Sequence, residues 1–373
     1  MSGRIVVFGA TGYTGRLVAE ALVRRGARPV LAARSAEKLG VLAEELGGGL
    51  ETVTADVSRP ASVRALVERG DVLVSTVGPF ARWGAAAIEA AIAAGAHYVD
   101  STGEPPFIRR VFEHWSGAAQ SAACGLLTSF GYDWVPGNLA GALALEAAAG
   151  AAAAVHVGYF MTGKVDPREA MSGGTVASLA GVALAPAFAW RDGHLVTERG
   201  AVRVRSFAAG GSAARLSGVS VGGSEHFALP RLQPGLREVD TYLGWFGPLS
   251  RGMQAFSAVG ELAGRVPGLT EGLASLTERF VKGSSGGPDT ATRARTGSRV
   301  IAEAMDANGV VLARSELTGP NGYTFTGDVI AWAAQRISEH GLEGTGALGP
   351  VDGFGLAALS AGCAEVGLVA SSG

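Results

Sequence analysis

The sequence has few of the residues on which metal centres and disulfide frameworks depend. Only two cysteines, Cys124 and Cys363, occur among 373 residues, and no CxxC spacing is present. The six histidines are scattered without HxxxH or HExxH spacing. We therefore expect no disulfide framework and no metal site.

Strong charge and long hydrophobic runs are also missing. The formal net charge is -2, and no basic run with interleaved aromatic residues occurs, which disfavours a nucleic-acid partner. The longest apolar stretch, 176–190, is interrupted by Gly181 and Pro186 and is too short to cross a bilayer. The chain begins without the charged segment, apolar core and cleavage site of a secretory signal. These features predict a cytoplasmic protein with no membrane span.

What the sequence does have is a glycine cluster at its N-terminus. Residues 5–8 have the apolar composition of a buried parallel strand, and apolar residues recur at helical spacing from Leu17 onward. Glycines in the turn between them would let backbone N–H groups approach a pyrophosphate at the positive end of the helix dipole. The spacing is GxxGxxG, and the alternative is a glycine-rich turn with no ligand. The predicted dinucleotide-binding residues of this loop are Gly9, Ala10, Thr11, Gly12, Tyr13, Thr14 and Gly15.

The end of the second predicted strand indicates which dinucleotide binds. The apolar run 29–33 is followed by Arg34 and Ser35, with Lys38 one helical turn further on. NAD enzymes usually have an acidic residue at this position, whereas an arginine suits a 2′-phosphate. We therefore predict NADP(H) as the cofactor; the alternative is a solvated loop arginine.

A carboxylate follows the third predicted strand. Asp56 and Val57 lie where a carboxylate can hold the adenine amino group of a bound cofactor. The alternative is a helix N-cap, because Ser58 and Pro60 also have capping chemistry.

Strands and helices alternate through the first third of the chain. Six predicted strands with five helical crossovers indicate an α/β fold, a doubly wound parallel sheet of the Rossmann type spanning 1–131. Such sheets bind ligands beyond the carboxyl ends of their strands. The segments predicted to face that crevice are Val77, Gly78, Pro79 and Phe80 after the fourth strand, 100–104 after the fifth and 131–138 after the sixth.

The pattern changes after the first third. Strands are predicted at 155–161, 193–204, 225–229, 299–306 and 310–318, with a hairpin turn at Asn308-Gly309. Helices are predicted at 242–263, 269–280, 324–338 and 353–367. We expect a second α+β domain with a mixed or antiparallel sheet at 132–345, for substrate binding and dimerisation, and a C-terminal helical segment, 346–373, that rejoins the first domain.

Several motifs carry a family resemblance. GATGYTG, Val77-Gly78-Pro79-Phe80, Tyr98-Val99-Asp100 with Gly103-Glu104, Gly131-Tyr132-Asp133 and the segment 172–178 resemble the saccharopine-dehydrogenase-like NADP-dependent oxidoreductases, including trans-acting enoyl reductases. The resemblance implies a Rossmann domain, a substrate domain and NADPH. This superfamily reduces C=N, C=C and C=O acceptors, so the resemblance does not name the reaction.

A reductase of this kind also needs side chains that stabilise developing charge and supply a proton. We predict Tyr132, Asp133 and Lys164 as catalytic; Tyr323 and His226 are further protic candidates. Tyr132 could instead pack in the core, and Asp133 could instead cap a helix. The predicted substrate-binding residues are Trp134, Ser172, Gly173, Gly174 and Thr175, although Thr175 could simply be an N-cap.

The sequence thus predicts an NADPH-dependent reductase of a hydrophobic activated double bond, enoyl or quinone-like, in polyketide, lipid or other secondary metabolism. The alternatives are a C=N reductase of the saccharopine type and a non-catalytic NADP-binding regulator. We expect a small hydrophobic substrate, free or carrier-bound, and a homodimer.

Overall fold

The computed structural model describes residues 3–163, 186–210, 215–244, 254 and 286–371. These residues form two compact units, one comprising 1–135 and 322–367 and the other comprising 136–321 and 368–373. The segment that returns to the first unit therefore begins at Gly322, whereas the sequence suggested 346. Residues 132–135 also belong to the first unit.

The strands, in chain order, are β1 (Ile5–Phe8), β2 (Val30–Ala33), β3 (Thr52–Thr54), β4 (Val72–Ser75), β5 (His97–Asp100), β6 (Gly125–Leu127), β7 (Ala154–Gly163), β8 (Pro186–Arg191), β9 (His194–Arg199), β10 (Val204–Ala208), β11 (Arg215–Val221), β12 (Glu238–Leu243), β13 (Thr296–Met305), β14 (Val311–Pro320), β15 (Gly346–Ala347) and β16 (Val369–Ala370). The α-helices are α1 (Tyr13–Arg24), α2 (Ala36–Glu45), α3 (Pro60–Arg64), α4 (Phe80–Trp83), α5 (Ala85–Ala94), α6 (Pro105–Arg110), α7 (Ser116–Ser121), α8 (Val135–Ala147), α9 (Glu225–Leu232), α10 (Thr290–Ala294), α11 (Gly322–His340), α12 (Pro350–Phe354) and α13 (Leu356–Glu365). A π-helical turn, Val111–Trp115, joins α6 to α7.

The first unit contains a parallel sheet in the order β15-β6-β5-β4-β1-β2-β3. Strands β1, β2 and β4 are buried along their whole length, as expected for a sheet covered on both faces. The strand order reverses between β1 and β4, which makes the carboxyl end of these two strands the topological switch point. The predicted Rossmann-type sheet is confirmed.

Helix α11 packs closely on α1 within this unit. A Cβ at Gly327 would lie 3.0 Å from the Cβ of Leu17, so the absence of a side chain allows this approach. Arg24 and Asp328 add an ion pair of 2.6 Å. These contacts explain why α11 belongs to the first unit.

The second unit contains a mixed sheet, in the order β10-β11-β12-β7-β13-β14-β16, with β8 and β9 attached beside β12. Strand β12 runs parallel to β7, and the other pairings are antiparallel. The Asn308-Gly309 hairpin turn lies between β13 and β14, and Gly309 has a φ of 80°. A mixed sheet in the second domain is therefore confirmed.

Three sequence predictions for this unit are wrong. Residues 225–229 form helix α9, not a strand; Glu225, His226, Ala228 and Leu229 are all buried, so no one-sided pattern marks the helix. The predicted helix 242–263 begins with residues that end strand β12, and the predicted strand 193–204 is divided between β9 and β10. Of the helices in the described residues, none is both long enough and apolar enough to span a membrane.

Candidate cofactor and active site

The glycine loop closes tightly between β1 and α1. The N–H groups of Gly9 and Ala10 donate to the Ala32 carbonyl at 2.8 and 3.1 Å, and Gly12 N–H donates to the Gly9 carbonyl at 2.9 Å. Gly9 has a φ of 94°, a conformation that favours glycine. Gly12 is the N-cap residue of α1 and is exposed, so the start of this helix is accessible.

The three glycines of the loop meet different surroundings. A Cβ at Gly9 would lie 2.6 Å from Thr76 Oγ1, and one at Gly15 would lie 2.2 Å from the Gly9 oxygen. A Cβ at Gly12 meets only the Gly9 oxygen, at 3.2 Å, and its φ of -81° suits any residue. Gly9 and Gly15 are thus required by packing, whereas the lack of a side chain at Gly12 suits a bound group. This loop fits a dinucleotide pyrophosphate.

The ends of β2 and β3 carry the predicted specificity residues. Arg34 follows β2 and is exposed, and Ser35 caps α2 by accepting a hydrogen bond from Lys38 N at 3.3 Å. Asp56 accepts hydrogen bonds at 2.8 Å from the N–H and the hydroxyl of Ser58. Hydrogen bonds from Ser58, and secondarily the charge of Arg34, lower the pKa of Asp56. Asp56 therefore stabilises its own turn, and neighbouring Val57 is partly exposed.

The loop after β4 is held by an acidic side chain from the loop after β5. Glu104 accepts hydrogen bonds from the N–H groups of Phe80 and Ala81 at 2.7 and 2.9 Å. The Phe80 ring is 7% exposed and lies 5.6 Å from the ring of Phe107. Gly78 and Pro79 are exposed and Val77 partly so. Within the segment 77–80, the three residues before Phe80 are therefore accessible, and the Phe80 ring belongs to the core.

A buried carboxyl group joins the ends of β5 and β6. Asp100 accepts hydrogen bonds from the N–H groups of Thr102 and Ser129 and from the hydroxyl of Thr128. Burial raises the pKa of Asp100 to about 6 against the effect of these donors. With three donors and no exposed surface, Asp100 stabilises the strand ends.

Asp133, in the loop after β6, has a different environment. Its Oδ1 is inaccessible to solvent and has no hydrogen-bond partner, while the residue as a whole remains partly accessible. A Cβ at Gly103 would lie 2.9 Å from Asp133 Oδ2, so the loop after β5 approaches the carboxyl group closely. Burial raises the pKa of Asp133 to about 7. Such a carboxyl group can hold or release a proton near neutral pH.

The neighbours of Asp133 lie in the core. Tyr132 is 6% exposed, its N–H donates to Thr326 Oγ1 at 2.9 Å, and its ring packs beside Gly322. Burial, and then the charge of Asp133, raise the pKa of the Tyr132 phenol. The Trp134 indole is 1% exposed. Both rings are thus buried, which is compatible with the packing alternative that the sequence left open for Tyr132.

The remaining predicted residues divide into two groups. Lys164, Ser172, Gly173, Gly174 and Thr175 lie outside the described residues. Tyr323 lies against the glycine loop, its ring 5.3 Å from that of Tyr13. His226 is buried in the second unit, and burial lowers its pKa to about 4. Its burial makes His226 a neutral side chain of that core.

A charged cluster in the second sheet was not foreseen. His156 Nε2 lies 2.7 Å from Glu238 and 3.8 Å from Asp240, a set that could in principle hold a metal ion. Arg191 and Arg203 lie 2.6 and 3.2 Å from Asp240. Burial disfavours the ionised form of Asp240, but the two arginines outweigh burial and lower its pKa. The carboxylates are therefore neutralised by arginines, and the cluster is an ion-pair network between strands.

Comparison with known proteins finds a family match in the first part of the chain. Residues 5–122 match the family described as saccharopine dehydrogenase NADP binding domain. The match spans β1 to the end of α7, including the glycine loop and the Arg34 strand end. The saccharopine dehydrogenase NADP-binding domain confirms the cofactor predicted from Arg34.

Curated relatives match the same part of the chain. A Mycobacterium tuberculosis protein named as a candidate trans-acting enoyl reductase is 40% identical over 140 residues, which cover 36% of this chain and 33% of the relative. A protein of Mycobacterium ulcerans named trans-acting enoyl reductase is 34% identical over 140 residues, covering 36% of this chain and 34% of that protein. The matched segment thus spans about a third of the length of these relatives.

A solved structure resembles the whole chain. Saccharopine dehydrogenase (L-Glu forming) from Saccharomyces cerevisiae, in its apo form, aligns with a TM-score of 0.60. The alignment covers 100% of this chain and 99% of the yeast chain, at 12% sequence identity. The yeast enzyme therefore shares the fold of both domains.

Proposed function

We propose that this protein is an NADPH-dependent reductase of a hydrophobic activated carbon–carbon double bond, with an enoyl thioester as its first substrate class. The observation that carries the proposal is the Asp133 carboxyl group, which follows β6 on the ligand-binding edge of an NADP-binding sheet and has a pKa of about 7. The names of the matched relatives, trans-acting enoyl reductases, favour a C=C acceptor.

The glycine loop and the ends of β2 and β4 would hold the cofactor. The Gly12 position would receive the pyrophosphate and Arg34 the 2′-phosphate. Val77 to Pro79, the accessible part of the predicted binding segment, would contact the nicotinamide end. Bound there, NADPH would supply a hydride. The Glu104 bonds to Phe80 and Ala81 hold this segment in place.

Reduction of an enoyl thioester also consumes a proton, which must reach the carbon next to the carbonyl group. Asp133 can hold that proton on its carboxyl group, because burial keeps a large fraction protonated at neutral pH. Because Oδ1 accepts no hydrogen bond, no donor at this atom stabilises the ionised form of the carboxyl group. After transfer, the carboxylate is reprotonated from solvent, to which the residue has partial access.

The wider setting follows from the same reasoning. A trans-acting role, as in the names of the relatives, favours an acyl chain presented on a carrier protein. We propose a cytoplasmic homodimer working in polyketide, lipid or other secondary metabolism. Lys164 remains a proposed catalytic residue, and the segment 172–175 remains a proposed substrate contact.

The decisive experiment follows loss of NADPH absorbance with three acceptors. They are an α,β-unsaturated medium-chain acyl thioester of N-acetylcysteamine, a quinone and a cyclic imine. We expect turnover with the thioester, and mass spectrometry should show a saturated product two hydrogens heavier. Turnover of the imine alone would support the C=N alternative, and NADPH binding without turnover of any acceptor would support a regulator.

A further inference from the structure

The turn after β3 is fixed by its own hydrogen bonds. Asp56 N–H donates to Ser62 Oγ at 3.0 Å, and the Ser62 hydroxyl donates to the Arg59 carbonyl at 2.7 Å. Arg59 N–H donates to the Asp56 carbonyl at 2.9 Å, and Ser58 donates twice to the Asp56 carboxylate. The backbone of Arg59 is therefore held in a defined place beside Asp56.

This turn lies next to the end of β2. Ala33 pairs with Thr54 in the parallel register of β2 and β3, and Ala55 N–H donates to the Ala33 carbonyl at 3.0 Å. Arg34 and the turn consequently leave neighbouring strands at the same edge of the sheet. The charges of both Arg34 and Arg59 act on the Asp56 carboxylate, after the larger effect of the Ser58 hydrogen bonds.

Both arginine side chains are exposed. Within the described part of the chain, neither Arg34 nor Arg59 forms a side-chain hydrogen bond or an ion pair. By contrast, Arg4 and Arg16 of the same domain form ion pairs with Asp71 and Glu20, at 3.0 and 2.8 Å. Two arginines and one carboxylate at the ends of neighbouring strands have a net positive charge, which suits a phosphate dianion.

We propose that Arg59 binds the 2′-phosphate of NADPH together with Arg34, and that the Asp56–Ser62 turn positions Arg59 for this contact. The proposal rests on the proposed function in one respect, that NADPH is the working cofactor. It adds a specificity residue that comes from the β3 turn, next to the expected one at the end of β2.

Cofactor binding by the protein without substrate tests this proposal. Nicotinamide fluorescence gives the Kd of NADPH and of NADH for the wild type, for Arg59→Gln and for the control Arg64→Gln, an exposed residue at the end of α3. We expect Arg59→Gln to weaken NADPH about tenfold and to leave NADH unchanged, while Arg64→Gln changes neither. Equal NADPH affinities for the two variants would overturn the role of Arg59.

A separate variant tests whether the Asp56–Ser62 turn positions Arg59. Ser62→Ala removes the hydroxyl that links Asp56 N–H to the Arg59 carbonyl, and should weaken NADPH about threefold without affecting NADH. An unchanged NADPH affinity in Ser62→Ala would show that the turn does not position Arg59. If the wild type binds NADH as tightly as NADPH, the proposed NADPH-dependent function is contradicted together with the role of Arg59. If the wild type prefers NADPH but Arg59→Gln does not weaken its binding, only the role of Arg59 is contradicted.

Discussion

Asp56 and Asp133 follow strands β3 and β6 of the same parallel sheet, at its carboxyl edge, yet they have opposite properties. Asp56 faces solvent and accepts two hydrogen bonds from Ser58, which lower its pKa. Asp133 has a buried Oδ1 without a partner, and burial raises its pKa to about 7. Donors stabilise the ionised form in the first case, and their absence favours the proton in the second.

The difference separates two tasks along one edge of the sheet. The end at β2 and β3 is exposed and rich in charge, as a phosphate requires, whereas the end at β5 and β6 is poorly hydrated and retains a proton. Between them lies the glycine loop at the switch point. Variants at each position should therefore affect binding and turnover separately.

The largest effect on cofactor binding is expected from a substitution in the glycine loop, between the β2–β3 and β5–β6 ends of the sheet edge. Gly12→Val should abolish dinucleotide binding and leave a folded protein, because a Cβ there meets only the Gly9 oxygen of the protein. Gly15→Ala should instead destabilise the fold by on the order of 1–3 kcal/mol, because its Cβ would lie 2.2 Å from a backbone oxygen. Circular dichroism melts and a cofactor titration on the same samples separate the two effects.

Gly40→Val is the matched control, since a Cβ at Gly40 has no atom within 4 Å. It should bind NADPH normally. Normal binding by Gly12→Val would remove the loop from the cofactor site.

Asp133→Asn should lower turnover of the enoyl thioester about a hundredfold, because an amide cannot deliver the proton. The Kd of NADPH should not change, since the adenosine end is untouched. In the wild type, kcat should fall as the pH rises through about 7, and this dependence should disappear in Asp133→Asn. The exposed Asp192→Asn, in the second unit, serves as the control for an added amide. Wild-type turnover in Asp133→Asn would assign the proton to water or another group.

The pH dependence of protein stability should also reflect the ionisation of Asp133, and it can be measured without substrate. The pKa of Asp133 is about 7 in the folded protein and near 3.8 when the chain is unfolded. Between these values the unfolded chain releases a proton that the folded chain keeps, so the contribution of Asp133 to stability falls as the pH rises from about 4 to about 7. Relative to the wild type, Asp133→Asn should gain on the order of 4 kcal/mol over this interval, since each pKa unit corresponds to about 1.4 kcal/mol. Urea unfolding at both ends of the interval measures the gain, and parallel pH profiles would contradict it.

A smaller effect is expected at the charged end. Arg34→Ala should weaken NADPH about tenfold with little change in NADH affinity or in kcat at saturating cofactor. Fluorescence titration of both cofactors measures the change. An equal loss for NADH would mean that Arg34 contacts a part that the two cofactors share.

The sequence predicted the first domain well because short apolar strands alternate with helices, and glycines mark turns between them. The second domain was harder. Strands β8 and β12 carry Arg191 and Asp240, and Arg203 directly precedes β10. Both arginines pair with Asp240, and these charged residues interrupt the apolar pattern. In helix α9 the residues Glu225, His226, Ala228 and Leu229 are all buried, so the start of this helix shows no one-sided apolar pattern.

The candidate site could also be predicted only in part from the sequence. A sequence places Asp133 at a strand end, but only packing shows whether its oxygens find donors. The sequence left a helix cap and a catalytic role equally open for Asp133, and the unpartnered Oδ1 favours the second. For Asp56 the Ser58 hydrogen bonds favour a structural role within its turn.

Carboxyl carbon NMR of the protein labelled at aspartate measures both ends of the comparison in one titration. Asp133→Asn and Asp56→Asn assign the two resonances. We expect a midpoint near 7 for Asp133 and one below 3.8 for Asp56. A midpoint for Asp133 in the ordinary range of an exposed aspartate would contradict the claim that this carboxyl group holds the proton.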